Sequence, residues 1–487
     1  MNRYLLFFIL IPLLGICQTQ IGQKIEGTTG TDAFGQSVSI SADGSIIAVG
    51  AHRNGGNGSN SGHVRVYEEV SGTWTQIGND IEGFSSGDGS GESIALSADG
   101  SIVAIGAPFN DDGGTVSGHV RIFENIAGTW TQIGNAIAGD NTWDESGTTV
   151  ALSADGSIVA IGAPRHDGNG SDSGQVRVFE NVQGTWTQIG SDIYGLLPGD
   201  GLGRLGLSLS SDGSVLAVGG NPFSTAGGPT GYSMIFQNVS GNWTQIGQVI
   251  QGIASYSLSG SSISLSSDGT IVAIGERGYN NQTGNVRIFE NLSGTWTQIG
   301  SGIVGEASSN YSGQAVSLSS DGSIVAIGAG GNNGAGAGAG HVRVFKNVAN
   351  TWIQVGVDIE GEDPNDYFGE SVAFSDTGEY LVVGAKTQTT STTKKGYAKV
   401  YDLSGVLSSD KFSKVSFVIY PNPASEYVNI ELQDGVVLES VTIYNNIGQK
   451  IKTINQNTVD VSTLAKGLYF VEVTTKQGKA SKKVIVK

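Results

Sequence analysis

Two loops carry clustered oxygen donors. In PRHDGNGSDS (164–173), Asp167, Asn169 and Ser171 alternate and Asp172 follows; in PFNDDGGTVS (108–117), Asp111 and Asp112 are adjacent. Alternating donors on a short loop are how a chain wraps calcium, which takes about six to eight oxygens. Neither loop has the closing glutamate of such a site, so a solvated turn competes with the metal reading. Calcium at Asp111, Asp112, Asp167 and Asp172 is the one cofactor the sequence offers. A second set, His52, Arg53, Phe109, Trp143, Arg165, His166 and Tyr279, combines aromatic and polar side chains suited to a sugar. Exposed aromatics equally cover the edge of a core.

No catalytic constellation emerges. His52 and His166 are the only histidines outside a recurring set, and no nucleophile elbow accompanies either. Acid–base chemistry would fall to Asp112, Asp144 or Asp167. The loop GGNNGAGAGAG (330–340) lacks the lysine and helix of a phosphate cradle. The chain is therefore expected to be non-enzymatic.

The elements that position these residues repeat. A turn glycine recurs as Gly44, Gly100, Gly156, Gly213, Gly269, Gly322 and Gly378. Each unit holds four short β-branched runs, in the first QSVSIS, SIIAVGA, HVRVYE and TWTQIG, bounded by Gly, Asn, Asp or Ser. The seventh unit ends at GYAKVYD (396–402) with no TWTQIG after it, and TQIGQKIEG opens the chain at 19–27. A ring uses that fragment by adding residues 19–22 beside 397–401; an open solenoid has no reason to balance its ends. The expected fold is all-β: a seven-bladed β-propeller over 18–405, closed by its N-terminal strand. Six Trp residues recur in the fourth run and the first copy lacks one, as a truncated strand would.

Recurrence separates structure from function. The arginines Arg65, Arg121, Arg177, Arg287 and Arg343 should pair with carboxylates between blades, because a buried charge needs a partner. His63, His119 and His341 recur and are not read as metal ligands. Strand alternation puts all the long, variable loops on one face, and binding belongs there.

The units resemble the FG-GAP repeats of integrin-alpha-like propellers, through Phe34-Gly35-Gln36-Ser37-Val38, Phe368-Gly369-Glu370-Ser371-Val372, Gly106-Ala107-Pro108 and Gly162-Ala163-Pro164. That resemblance implies a propeller. The calcium loop of such families is not transferred, because the turn SADGS is too short and offers one carboxylate.

Residues 1–17, MNRYLLFFILIPLLGIC, read as a secretory signal: a basic Arg3, then an apolar run too short to span a membrane. Cleavage before Gln18 leaves no cysteine. No other run is long enough to be a transmembrane segment. Residues 18–405 carry 15 Lys+Arg against 37 Asp+Glu, a net −22 that disfavours nucleic acid. A linker at 406–417 leads to a different β domain, expected to be a small Ig-like sandwich. Residues 418–487 resemble the type A C-terminal sorting domain of the type IX secretion system, through Tyr420-Pro421-Asn422-Pro423, Ile443-Tyr444-Asn445, Lys466-Gly467-Leu468-Tyr469 and the closing KKVIVK. The resemblance implies export by that machinery to the surface of a Gram-negative bacterium or beyond. The expected function is a surface or secreted binding or adhesion protein whose partner is an extracellular glycan or surface protein. A polysaccharide-acting enzyme and a structural surface component are the alternatives.

Overall fold

A computed structural model describes residues 18–222, 228, 230–387, 395–407, 417–432, 438–445, 450–475 and 478–487. The expected leader and most of the expected linker lie outside them. The chain divides into two units, Cys17–Ser404 and a second containing Gly405–Lys487. Among the described residues it is all-β apart from two four-residue turns of helix, Tyr279–Gln282 and Ser404–Leu407. Among the described residues no helix is long and apolar enough to cross a membrane.

The described residues of the first unit form seven antiparallel sheets. In one of them Ser37–Ile40, Ile46–Ala51, His63–Val70 and Thr73–Gln76 pair in order, and the two-residue Ile81–Glu82 returns to pair with His63–Val70. The first strand alternates half-buried and buried residues, whereas the second is buried almost throughout. That is why the second run reads as continuously apolar and the first as alternating.

The last sheet, Ser371–Phe374, Tyr380–Ala385 and Tyr397–Asp402, takes its fourth strand from Thr19–Glu26. Ile21 lies opposite Val400, the ladder slips, and Ile25 lies opposite Ala398. One strand thus does the work of two pieces in the other sheets.

Neighbouring sheets are joined in a closed cycle. Ala42 N donates to Ala98 O at 2.7 Å; equivalent bonds run through Ala154, Ser211, Ser267 and Ser320 to Asp376, whose N returns to Ala42 O at 3.0 Å. Near the cycle's inner strands the backbones almost touch. A Cβ on Gly106 would lie 2.0 Å from Gly147 O, and one on Gly384 would lie 2.1 Å from Gly35 O, at the step joining last sheet to first. Glycine recurs there because a neighbouring carbonyl fills the place of a side chain. Gly384→Ala is expected to cost about 2 kcal/mol or more by overpacking, read as a lower urea midpoint. Unchanged stability would mean that the sheets separate freely.

The recurring Trp residues stitch the rim. Trp74 Nε1 donates to Ile21 O at 3.0 Å, and Trp130, Trp186, Trp243, Trp296 and Trp352 make the same bond to the preceding sheet. The N-terminal copy is not merely truncated. Gln18 stands in the Trp position, buried, with its Nε2 2.8 Å from Val357 O and 3.5 Å from Val355 O.

The arginines differ in part from expectation. Arg65 pairs with Asp80, Arg177 with Asp140 and Arg287 with Glu276. The more general partner is a backbone carbonyl of the preceding sheet: Glu82 O for Arg121, Ala138 O for Arg177, Gln251 O for Arg287 and Val304 O for Arg343. A carbonyl is present whatever the side chain, so the clip survives sequence drift.

The described residues of the second unit form two sheets, Phe417–Tyr420 with Tyr427–Leu432 and Thr458–Asp460, and Lys450–Ile454 with Leu438–Asn445, Gly467–Thr475 and Gly478–Val486. They share one core that includes Phe417, Val428, Ile443, Val471 and Val484. Asn422 ties its loop to the last strand, accepting from Ile485 N at 2.9 Å and donating to Lys483 O at 3.0 Å.

Candidate functional site

Five of the sheet-to-sheet links follow one template. A buried carboxylate caps the turn: Asp32, Asp88, Asp144, Asp200 and Asp366 each accept a backbone N–H from three residues earlier. Ser257 and Asn310 take its place in the other two. Asp144 is one of this set, only 2% exposed, and holds a turn rather than presenting an acid. The link then hydrogen-bonds along the long loop of the preceding sheet: Gly87 N to Ser59 O, Trp143 N to Thr115 O, Gly199 N to Ser171 O, Asn365 N to Ala337 O. That bonding accompanies a left-handed backbone. Gly87 and Gly199 adopt it with φ of 92° and 80°, but Trp143 and Tyr256 stand in the same place with φ of 69° and 63°. Both are exposed, at 58% and 50%. A bulky residue at positive φ is a costly choice unless its side chain is wanted there.

At the inner end of each link, the residue after a recurring glycine takes five identities over seven units: Gln36, Glu92, Thr148, Arg204, Ser261, Gln314 and Glu370. All seven line one central cavity. Arg277 joins them and also lines two adjoining depressions, one of about 820 Å³ with Tyr256, Tyr279 and Tyr311, and one of about 540 Å³ with His52, Arg53 and Lys386. Charges interleave here. Glu370 contacts both Gln314 and Lys386. Arg165 meets Glu145 at 2.7 Å. Burial raises the Glu92 carboxyl despite Lys386 and Arg53, and raises Glu145 despite Arg165. Burial lowers Arg204, helped by Arg277 and Arg165.

The sequence-selected residues divide among these places. Trp143, Arg165, His166, Asp167 and Asp172 share a depression of about 600 Å³. His52 and Arg53 belong to the central mouth. There burial, with Arg53 and Lys386, pushes the His52 imidazole down to about 3, and Glu92 Oε2 lies 3.4 Å from its Nδ1. Tyr279 lines the depression of about 820 Å³, and Phe109 packs over Gly89. His166 is a loop fastener: its Nδ1 accepts from Gly168 N, the role of Asn54, Asn110 and Asn332 elsewhere, and its ring stacks on Tyr194.

The four aspartates read as calcium ligands each make a contact of their own. Asp111 Oδ1 accepts from Val116 N, and Asp167 Oδ1 accepts from Asp172 N, each closing its own loop. Asp112 turns to His119 Nδ1 at 3.2 Å, and Asp172 lies 3.7 Å from Arg165. Among the described residues, acidic and imidazole groups converge instead at His63, Asp80 and Glu82, and at Glu306, His341 and Asp358. Sequence reasoning also missed Glu92, Arg204, Arg277, Tyr311, Glu370 and Lys386. For Glu92, Arg204 and Glu370 the signal was variation itself, directly after an unvarying glycine.

Residues 418–487 match the secretion system C-terminal sorting domain, and residues 26–67 and 130–179 match the FG-GAP repeat. The tail is a type IX sorting domain and marks a protein secreted to the cell surface or outside. No curated protein matches the chain. Solved structures similar in part are a hydrazine synthase of Kuenenia stuttgartiensis (14% identity, 75% of this chain and 95% of that one, TM-score 0.48). Others are a periplasmic gluconolactonase of Pseudomonas aeruginosa (17%, 67% and 86%, TM-score 0.47) and a candidate 6-phosphogluconolactonase of Bacteroides uniformis (16%, 72% and 94%, TM-score 0.49).

Proposed function

We propose that the repeat unit is a seven-bladed β-propeller closed by its N-terminal strand, followed by a small Ig-like sandwich, and that its loop-rich face binds an extracellular glycan or protein without turnover. Trp143 and Tyr256 carry this reading: exposed aromatics held in a left-handed backbone conformation that the equivalent links give to Gly87, Gly199, Ser309 and Asn365. Further exposed apolar residues on the same links, Phe84, Leu196, Leu197 and Ile253, extend an apolar crescent. The central mouth supplies the polar partners, with Arg277 bridging mouth and crescent. Large apolar contacts with a few convergent polar groups are how such surfaces combine affinity with orientation.

The test is an array of glycans and surface proteins probed with the full chain and with Arg277→Ala. A saturable hit weakened tenfold or more by the substitution supports the reading; silence, or hits indifferent to Arg277, removes it. One observation favours a second reading, hydrolysis of a glycan: the raised carboxyl of Glu92 at the mouth could hold a proton for transfer. Turnover of an array hit, abolished by Glu92→Gln, would replace binding by catalysis.

A further inference from the structure

The repeats compare one structural position across seven chemical contexts. At the start of the third strand stand His63, His119, Gln175, Tyr232, Asn285, His341 and Tyr397. Around each lie two residues of a short return strand and one of the preceding link. For His341 these are Asp358, Glu360 and Glu306; for His63 they are Asp80, Glu82 and Thr28; for His119 they are Ala136, Ala138 and Phe84. Of these three sets of slots, the one around His341 is filled wholly by carboxylates.

Its geometry is that of an open ligand set. The donor atoms of Glu306, His341 and Asp358 all lie within 4.8 Å of one another, and His341 Nδ1 is 3.5 Å from Asp358 Oδ2. That separation is close to the ~3.4 Å between ligand atoms on a tetrahedral ion with bonds of about 2.1 Å. His341 is 1% exposed, and its Nδ1 makes no hydrogen bond although it points at the carboxylates. Glu360, opposite His341 in the ladder, also has a buried oxygen without a partner. An unsatisfied buried nitrogen facing carboxylates is costly unless something lies between them.

His63 Nδ1 is likewise unpartnered, 3.5 Å from Asp80 Oδ2, so the difference lies in the neighbouring arginine. There Arg65 grips Asp80 with two bonds, Nε to Oδ1 at 2.9 Å and NH2 to Oδ2 at 2.8 Å, so the carboxylate is already neutralised. The equivalent Arg343 turns instead to Val304 O and Ser312 Oγ and approaches Glu306 only to 4.0 Å. Three carboxylates against one guanidinium leave about two negative charges, which a divalent cation balances.

We propose that Glu306, His341 and Asp358, with Glu360 adjacent, bind one divalent transition ion of the zinc class. An imidazole with few oxygens favours zinc over calcium, which wants more oxygens and no nitrogen. The side chain of Glu306, 47% exposed, swings in to close the set.

The experiment is calorimetric titration of the full chain with zinc chloride, paired with melting curves with and without the ion. His341→Asn and Glu306→Thr are the variants, because Asn285 and Thr28 already occupy those positions in the same backbone, and His63→Asn is the control. The expected result is saturable zinc uptake in which each variant loses one equivalent, or weakens it at least tenfold, while the control keeps it. Zinc should raise the melting midpoint of the wild type but of neither variant, and calcium chloride at the same concentration should leave it unmoved. No saturable uptake, or uptake that both variants retain, overturns the site. If one variant fails to fold, the other decides.

Discussion

A chain lacking residues 18–27 is expected to melt roughly 10–15 °C lower, or to lose its cooperative transition altogether. The deletion strips the edge of Tyr397–Asp402, which pairs with Thr19–Glu26 and with no other strand on that side. It removes Ile25, which is buried, and half-buried Ile21 from a core shared with Val49, Val382 and Val400. Those two side chains contribute about 3–5 kcal/mol, and the lost ladder bonds add about 1 kcal/mol each. The damage also crosses between sheets. Trp74 loses the Ile21 carbonyl that its indole N–H binds and the Gln23 side chain that bonds both its backbone N and O. The sum reaches the scale of a typical domain's whole stability. Supplying residues 18–27 as a peptide should restore the transition in a concentration-dependent way. A deletion that melts within about 2 °C of the parent would show that the last sheet stands on three strands.

Much of this was legible from residue type and spacing, because a repeat prints the same physical problem seven times. The four runs of each unit, the turn aspartates and the fragment 19–27 left over for the seventh sheet all follow from period and β-branched content. What escaped was recurrence of role under change of residue. His166 does the work of Asn54 and Asn110 with a different nitrogen, and Gln18 does the work of Trp74 with an amide. Asp144 recurs at its own offset in the links, away from the turn glycine that marked the units. Conversely the central mouth has no motif because each unit contributes one residue, far apart in sequence. Arg204 and Arg277 become neighbours only when the sheets close, and no spacing rule reports that.

Trp143→Asn and Tyr256→Asn are expected to leave stability within about 1 kcal/mol of the wild type, whereas Trp74→Ala costs about 3–5 kcal/mol. The difference is conformational. Trp143 and Tyr256 hold a left-handed backbone that penalises an ordinary L-residue by about 1–2 kcal/mol, and asparagine, which the seventh unit uses as Asn365 at φ 64°, relieves much of it. Against that relief stands the lost contact of a ring already more than half exposed, at most about 2 kcal/mol. Trp74, 3% exposed and hydrogen-bonded through its indole, has no such compensation. Binding should behave the other way. If the two rings form the apolar crescent of the ligand surface, each asparagine variant weakens an array hit tenfold or more, about 1.4 kcal/mol, while Trp74→Ala affects binding only through folding. Urea melts of the three variants and titration of the same hit measure both quantities. Loss of more than about 2 kcal/mol of stability in Trp143→Asn, with unaltered binding, would make the ring a structural prop and move the ligand surface to the charged mouth around Arg277.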